Sequence, residues 1–211
     1  MYDFVGKLQQ WFYAKRRQDS FGAYSLIFAF GLVALISSFI LTVDQFFLLK
    51  HPNEVLNCSL NLVLNCATVM NTWQAEVFGF PNMLIGLMAY SALVAIAFVA
   101  LTGVRFSKKF LMAFNLGIFL GLIFSEWLIY ESIYSIGVLC PFCLAVAAST
   151  IVIFMASTHL ALRNNVYKLN SRHNSKVQNC LNKGYDKMIT LAWIALIALL
   201  IIQHFGSSLF A

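Results

Sequence analysis

Four of the five cysteines fall into two pairs that could perform thiol–disulfide exchange. Cys140 and Cys143 enclose a dipeptide, Cys140-Pro-Phe-Cys143, and Cys58 and Cys66 bracket an Asn-rich stretch. Cys180 stands apart in a basic segment. An i, i+3 pair at a helix start brings its sulfurs within bridging reach. It leaves one of them at the helix N-terminus, where unpaired backbone N–H groups and the helix dipole favour a thiolate. Pro141 suits the first helical position, since its missing N–H costs nothing there, and Phe142 suits an apolar or interfacial setting. A thiolate attacks a disulfide through a mixed disulfide, so two such pairs can hand electrons from one to the other.

The elements that must carry these cysteines are membrane spans. The chain has 211 residues, of which 61% are hydrophobic and 10% charged, with a mean hydropathy of +0.79. Soluble domains carry about 25% charged residues. Five runs are long enough to cross a hydrocarbon core, which takes about 20 residues. They lie near Ala23–Val43, Met83–Leu101, Phe110–Ile129, Cys140–Leu162 and Met188–Phe205. The first starts too late, is too long and lacks the small-residue cleavage site of a secretory signal. The expected fold class is therefore an all-α membrane protein with five transmembrane helices.

Cytoplasmic loops retain lysine and arginine. Lys7, Lys15, Arg16 and Arg17 precede the first span, Arg105, Lys108 and Lys109 follow the second, and six more lie between Arg163 and Lys187. Of the 14 basic residues only Lys50 falls on the other side. This predicts a cytoplasmic N-terminus and an outer C-terminus. The outer face then holds the loop Asp44–Pro81, the short loop Glu131–Leu139 and the tail Gly206–Ala211. The net charge of +6 belongs to these topology signals, and no basic patch with interleaved aromatics suggests nucleic acid. Phe4, Val5, Leu8, Trp11 and Phe12 are spaced for a helix lying in the inner interface.

Both cysteine pairs thus map to the outer, oxidising side, and Cys180 to the inside as an inert thiol. Other readings stay open on the residues alone. All four outer cysteines could bind zinc, although His51 and His204 are the sole histidines nearby. Both pairs could be structural disulfides, and Cys58–Cys66 taken alone reads as a staple closing its loop. The placement of Cys140–Cys143 at a helix start favours redox chemistry.

The run Cys66-Ala-Thr-Val-Met-Asn-Thr-Trp-Gln-Ala-Glu-Val-Phe-Gly-Phe-Pro-Asn-Met-Leu-Ile-Gly86, followed by the later Cys140-Pro-Phe-Cys143, resembles the vitamin K epoxide reductase family. The likeness is greatest to its bacterial, DsbB-like members, which oxidise periplasmic thiol oxidoreductases at the expense of membrane quinone, and it spans about Ala23 to Leu162. The resemblance implies a four-helix bundle around a quinone pocket, with the fifth helix beside it. It implies that Cys58 meets an external thiol partner, Cys66 exchanges with Cys140, and Cys143 faces a quinone of ubiquinone or menaquinone type. Thr72 and Asn82 match family positions near the quinone. Phe80 and Phe142 join them as expected quinone contacts, with Trp73 and Phe78 as a cover, and no metal is expected.

Where animal members have a Tyr beyond the second cysteine, this chain has Ala147. That favours quinone reduction over the runner-up, vitamin K or epoxide reduction with the relay reversed; a four-cysteine metal protein is the alternative of another class. Some bacterial members carry a fused thioredoxin-like domain after span five. Here a separate DsbA-like or thioredoxin-like partner is expected, in the inner membrane of a bacterium. The expected divisions are an interfacial segment 1–22, a catalytic core 23–162, a basic cytoplasmic loop 163–187, and a fifth span with its tail 188–211. Glu126 and Glu131 are candidates for proton handling or plain interfacial charges.

Overall fold

The computed structural model describes residues 2–51, 56, 58, 59 and 63–209, with side chains from Ser20 to Gly206 within that set. Helix α1 runs Tyr2–Lys50 and α3 Asn82–Leu101. Helix α4 covers Lys108–Glu131 and passes into a π turn, Ser132–Ile136. Helix α5 covers Pro141–Arg163, α6 Ser171–Asn182 and α7 Tyr185–Leu209. Between α1 and α3 lie the short α2, Cys66–Met70, and a 3-10 turn, Trp73–Glu76. Among the described residues there is no strand, and five helices are long and apolar enough to cross a membrane. The protein is an all-α, multi-pass membrane protein.

The spans extend the expected ranges. Helix α1 continues past Val43 to Lys50 and is unbroken back to Tyr2, so the segment 1–22 is continuous in helix with the first span. No proline interrupts it, and its glycines are isolated, which a helix tolerates at about 1 kcal/mol each. The side chains of the N-terminal stretch, with the expected interfacial face at Phe4 to Phe12, lie outside the described residues.

Helices α1, α3, α4 and α5 form a four-helix bundle. One core cluster takes Ala23 and Ile27 from α1, Leu93 and Ala97 from α3, Ile118 from α4, and Ile153, Ala156 and Leu160 from α5. Two glycines let α3 approach α1 closely. A Cβ on Gly31 would stand 3.0 Å from Leu93 Cδ2 and from Val94 Cγ2, and one on Gly86 would stand 2.8 Å from Ser38 Oγ. Small residues serve this purpose in lipid, where no hydrophobic drive holds helices together. Hydrogen bonds add to it: Asn115 of α4 donates to Ser157 and Thr158 of α5 at 2.8 and 3.0 Å, and Tyr167 donates to Asn115 at 2.6 Å. Helix α7 packs outside the bundle against α5, tied at its start by His159 Nδ1 and Asp186 Oδ2, 2.7 Å apart.

Chain direction sorts the loops onto two ends. The basic connections α3–α4 and α5–α6 share one end, where Lys108 Nζ donates to the carbonyl of Asn165. Four cysteines gather at the other end, with the end of α1, α2, the 3-10 turn and the starts of α3 and α5.

Candidate active site

The cysteine end is built by local turn chemistry followed by one backbone bridge. The π turn closes α4 at Gly137, whose positive φ of 71° a residue with a side chain rarely adopts. The chain then runs beside the segment leading to Cys66. Leu139 N–H donates to Val63 O at 2.7 Å, and Asn65 N–H donates to Leu139 O at 3.0 Å. This bridge between Leu64 and Leu139 sets Cys66 and Cys140, the residues just beyond it, against each other. Asn65 then caps α2, accepting from Thr68 N–H at 3.1 Å and from the Ser59 hydroxyl at 2.9 Å.

Cys58 and Cys66 form a disulfide, while Cys140 and Cys143 are not bridged to each other. Cys140 Sγ lies 3.5 Å from Cys66 Sγ. Cys58, Cys66 and Cys140 are buried together with Leu41, Leu48, Val69 and Met70. The loop pair is therefore packed into the bundle end. The physical reason is the bridge at Leu64 together with the apolar residues that flank it.

Cys140 is the N-cap of α5, with Pro141 in the first turn as expected. Its sulfur accepts the Cys143 backbone N–H at 3.3 Å. The Cys143 thiol hydrogen-bonded to it, and then the Cys143 and Phe142 backbone N–H groups, pull the Cys140 thiol below its ordinary pKa, against burial and the negative charge of Asp44. Cys140 is thus set up as a nucleophile or a leaving thiolate.

Cys143 packs against the cysteine cluster and also lines a cavity of about 190 Å³ within the bundle. Its wall is mainly apolar, with Leu41, Val69, Met70 and Ile129, and polar groups come from Ser38, Thr72, Gln74, Asn82, Ser125 and Ser132. An apolar cavity with few polar groups suits a ring with two carbonyl oxygens. Of the expected quinone contacts, Thr72 and Asn82 lie on this wall. Their donors are engaged with backbone: Thr72 Oγ1 donates to Val69 O at 2.8 Å and Asn82 Nδ2 to Gln74 O at 2.7 Å. Asn82 opens α3 without capping it, and its Oδ1 is buried with no hydrogen-bond partner.

Phe142 packs against the cysteine cluster and is not part of the cavity wall. Phe80 also stands outside the wall, in an aromatic layer. Phe124 lines the cavity, Phe78 packs on Phe124 at 5.6 Å, and Phe80 packs on Phe78 at 6.4 Å. Trp73 meets Trp127 beside them. The sequence reading missed Gln74, a buried wall residue whose Nε2 donates to Glu131 Oε2 at 3.0 Å. No periodic signal marks it, because its partner is 57 residues away. Glu126 and Glu131 are not on the wall, and the Glu126 carboxylate meets Trp193 of α7. Cys180 is an exposed thiol at the basic end.

Among the described residues no three side chains of metal-ligand type converge. No curated protein matches the chain. The family model for the vitamin K epoxide reductase family matches residues 25–158, which takes in the four bundle spans and all four clustered cysteines. With that match over more than half of its length, the chain belongs to the vitamin K epoxide reductase family, membrane oxidoreductases of thiols and quinones.

Proposed function

We propose that this protein reoxidises an extracytoplasmic thioredoxin-like or DsbA-like partner and passes the two electrons through Cys58–Cys66 and Cys140–Cys143 to a membrane quinone, so supporting disulfide formation. One observation carries the reading. The reactive sulfur of one pair, Cys140, sits 3.5 Å from a sulfur of the other, and the second member, Cys143, opens onto an apolar cavity.

In this reading the partner's thiolate attacks Cys58 and frees Cys66. Cys66 then attacks Cys140 of an oxidised Cys140–Cys143 pair, releasing Cys143 as the thiolate at the cavity wall. A bound quinone supplies a two-electron acceptor of ubiquinone or menaquinone type. Asn82, through its second Nδ2 hydrogen, and Thr72, by giving up its bond to Val69 O, are the polar groups that would orient it, and Phe78 and Phe80 shield the cavity by packing beyond Phe124. The backbone N–H of Cys143 holds negative charge on Cys140 while exchange proceeds.

Two further observations support direction and setting. Ala147 is buried against Val63, Ile129 and Leu139, so no hydroxyl stands where animal members carry a tyrosine, and thiol oxidation is preferred over epoxide reduction. The basic loops share one end of the bundle and the cysteines the other, which favours a cytoplasmic basic end in a bacterial inner membrane. Residues 23–162 form the catalytic core of this reading, 163–187 the cytoplasmic loop and 188–211 the accessory fifth span.

The purified chain, given a reduced DsbA-like protein and a short-chain quinone, should form quinol and oxidised partner in equal amounts. Cys140→Ala and Cys143→Ala should each abolish both products. A variant lacking both cysteines that still reduces quinone at the normal rate contradicts the reading.

A further inference from the structure

Thiol–disulfide exchange needs a place for protons, because the attacking thiol must lose one. Cys58 is 6% exposed in this arrangement, so when no partner is engaged water has little access to its sulfur. That sulfur lies 3.7 Å from Oδ2 of Asp44, a carboxylate on α1 near the helix end. Asp44 is the sole acid between Ser20 and Lys50, in a stretch otherwise suited to lipid. An acid in such a span is costly and marks function more often than structure.

We propose that Asp44 takes the proton from Cys58 when Cys58 closes the disulfide with Cys66, and returns it when that disulfide opens. The inference rests on the relay reading above. In the closing step the Cys58 sulfur forms a bond to Cys66, and the Cys66–Cys140 bond breaks. Its electron pair stays on Cys140 as a thiolate, and the Cys58 proton passes to the Asp44 carboxylate. No electron leaves the three cysteines, so charge and redox state balance. In the opposite direction the Cys140 thiolate attacks Cys66, and Cys58 departs with the proton from the Asp44 carboxylic acid.

Among the described residues, Asp44 acts on two titratable groups: Cys58 of the connecting segment, which it touches, and Cys140 at the start of α5, which feels its charge. The negative charge of Asp44 disfavours a thiolate on Cys140. Taking up the Cys58 proton removes that charge as Cys140 leaves. The same transfer readies the attacking sulfur and eases the departure of the leaving one. The Cys143 N–H, 3.3 Å away, receives the thiolate that results.

Asp44→Asn tests this in the full chain in lipid nanodiscs, driven by dithiothreitol and a short-chain quinone, with acid quenching and mass spectrometry of the disulfides. At pH 7 the Cys66–Cys140 mixed disulfide should accumulate, its resolution slowed roughly 10²-fold. The slowing should fade as pH rises past about 8.5, where a thiol ionises unaided. Asp44→Glu should restore the rate at pH 7, and Asp44→Ser repeats the test if the amide does not fold. Resolution at the wild-type rate in Asp44→Asn, or a slowing equal at every pH, overturns the proposal. A Cys58→Ser chain that never forms the Cys66–Cys140 bond overturns the relay itself, which separates the two failures.

Discussion

Cys140 differs from the other clustered cysteines in what surrounds its sulfur. The Cys143 thiol and two backbone N–H groups point at it, and these outweigh burial and the charge of Asp44. A lowered pKa means that the thiolate persists to lower pH than a free thiol, which titrates near 8.5. We expect the pH midpoint for Cys140 alkylation, in a Cys180→Ser background, to lie below that value. Cys143→Ala removes the largest of the lowering contributions and should move the midpoint upward. An unmoved midpoint would show that the neighbouring thiol contributes nothing. The Cys-Pro-Phe-Cys run at a helix start was legible in the sequence because its chemistry is local: cap, proline and second cysteine lie within one turn. Asp44 and Gln74 were not legible as site residues, because their partners lie 14 and 57 residues away and no local spacing encodes such contacts.

Hydropathy alone reveals the five spans, since each is a long apolar run without a breaker. Their ends were less legible. Helix α1 keeps its hydrogen bonds to Lys50, with no Gly or Pro between Val43 and Lys50 to stop it. The loop beyond it holds α2 and a 3-10 turn because Asn65 caps and the Leu64–Leu139 bridge fixes the approach. The contact between α1 and α3 yields a prediction at this scale. Gly31→Leu forces a side chain against Leu93 and Val94, and overpacking of this kind costs roughly 1–3 kcal/mol. Asn115→Ala removes hydrogen bonds between α4 and α5, and such bonds average about 0.6 kcal/mol in membranes. Thermal melts in detergent should therefore fall further for Gly31→Leu than for Asn115→Ala. The reverse order would show that polar contacts, and not close approach, hold the bundle.

At the scale of the whole molecule, four helices converge to bring two cysteine pairs together at one end, and the second pair leads to a cavity inside the bundle. The charge pattern of the loops foretold which residues share an end, and the cysteine count foretold a paired chemistry. The order of contact was not legible from charge or spacing, because both loop cysteines are distant in sequence from Cys140 and no local pattern favours either. The family resemblance implied that Cys66 meets Cys140, and packing sets those two sulfurs 3.5 Å apart. The central claim is that the two pairs are one relay and that Cys66–Cys140 is its junction. Cys58→Ser leaves Cys66 with no partner to release it. In the presence of quinone this variant should collect in a form bridging Cys66 and Cys140, seen by mass spectrometry of a non-reducing digest and lost on adding Cys140→Ala. A Cys58→Ser chain with quinone and no such bridge, or a Cys66→Ser chain that oxidises its partner at the wild-type rate, would contradict the account.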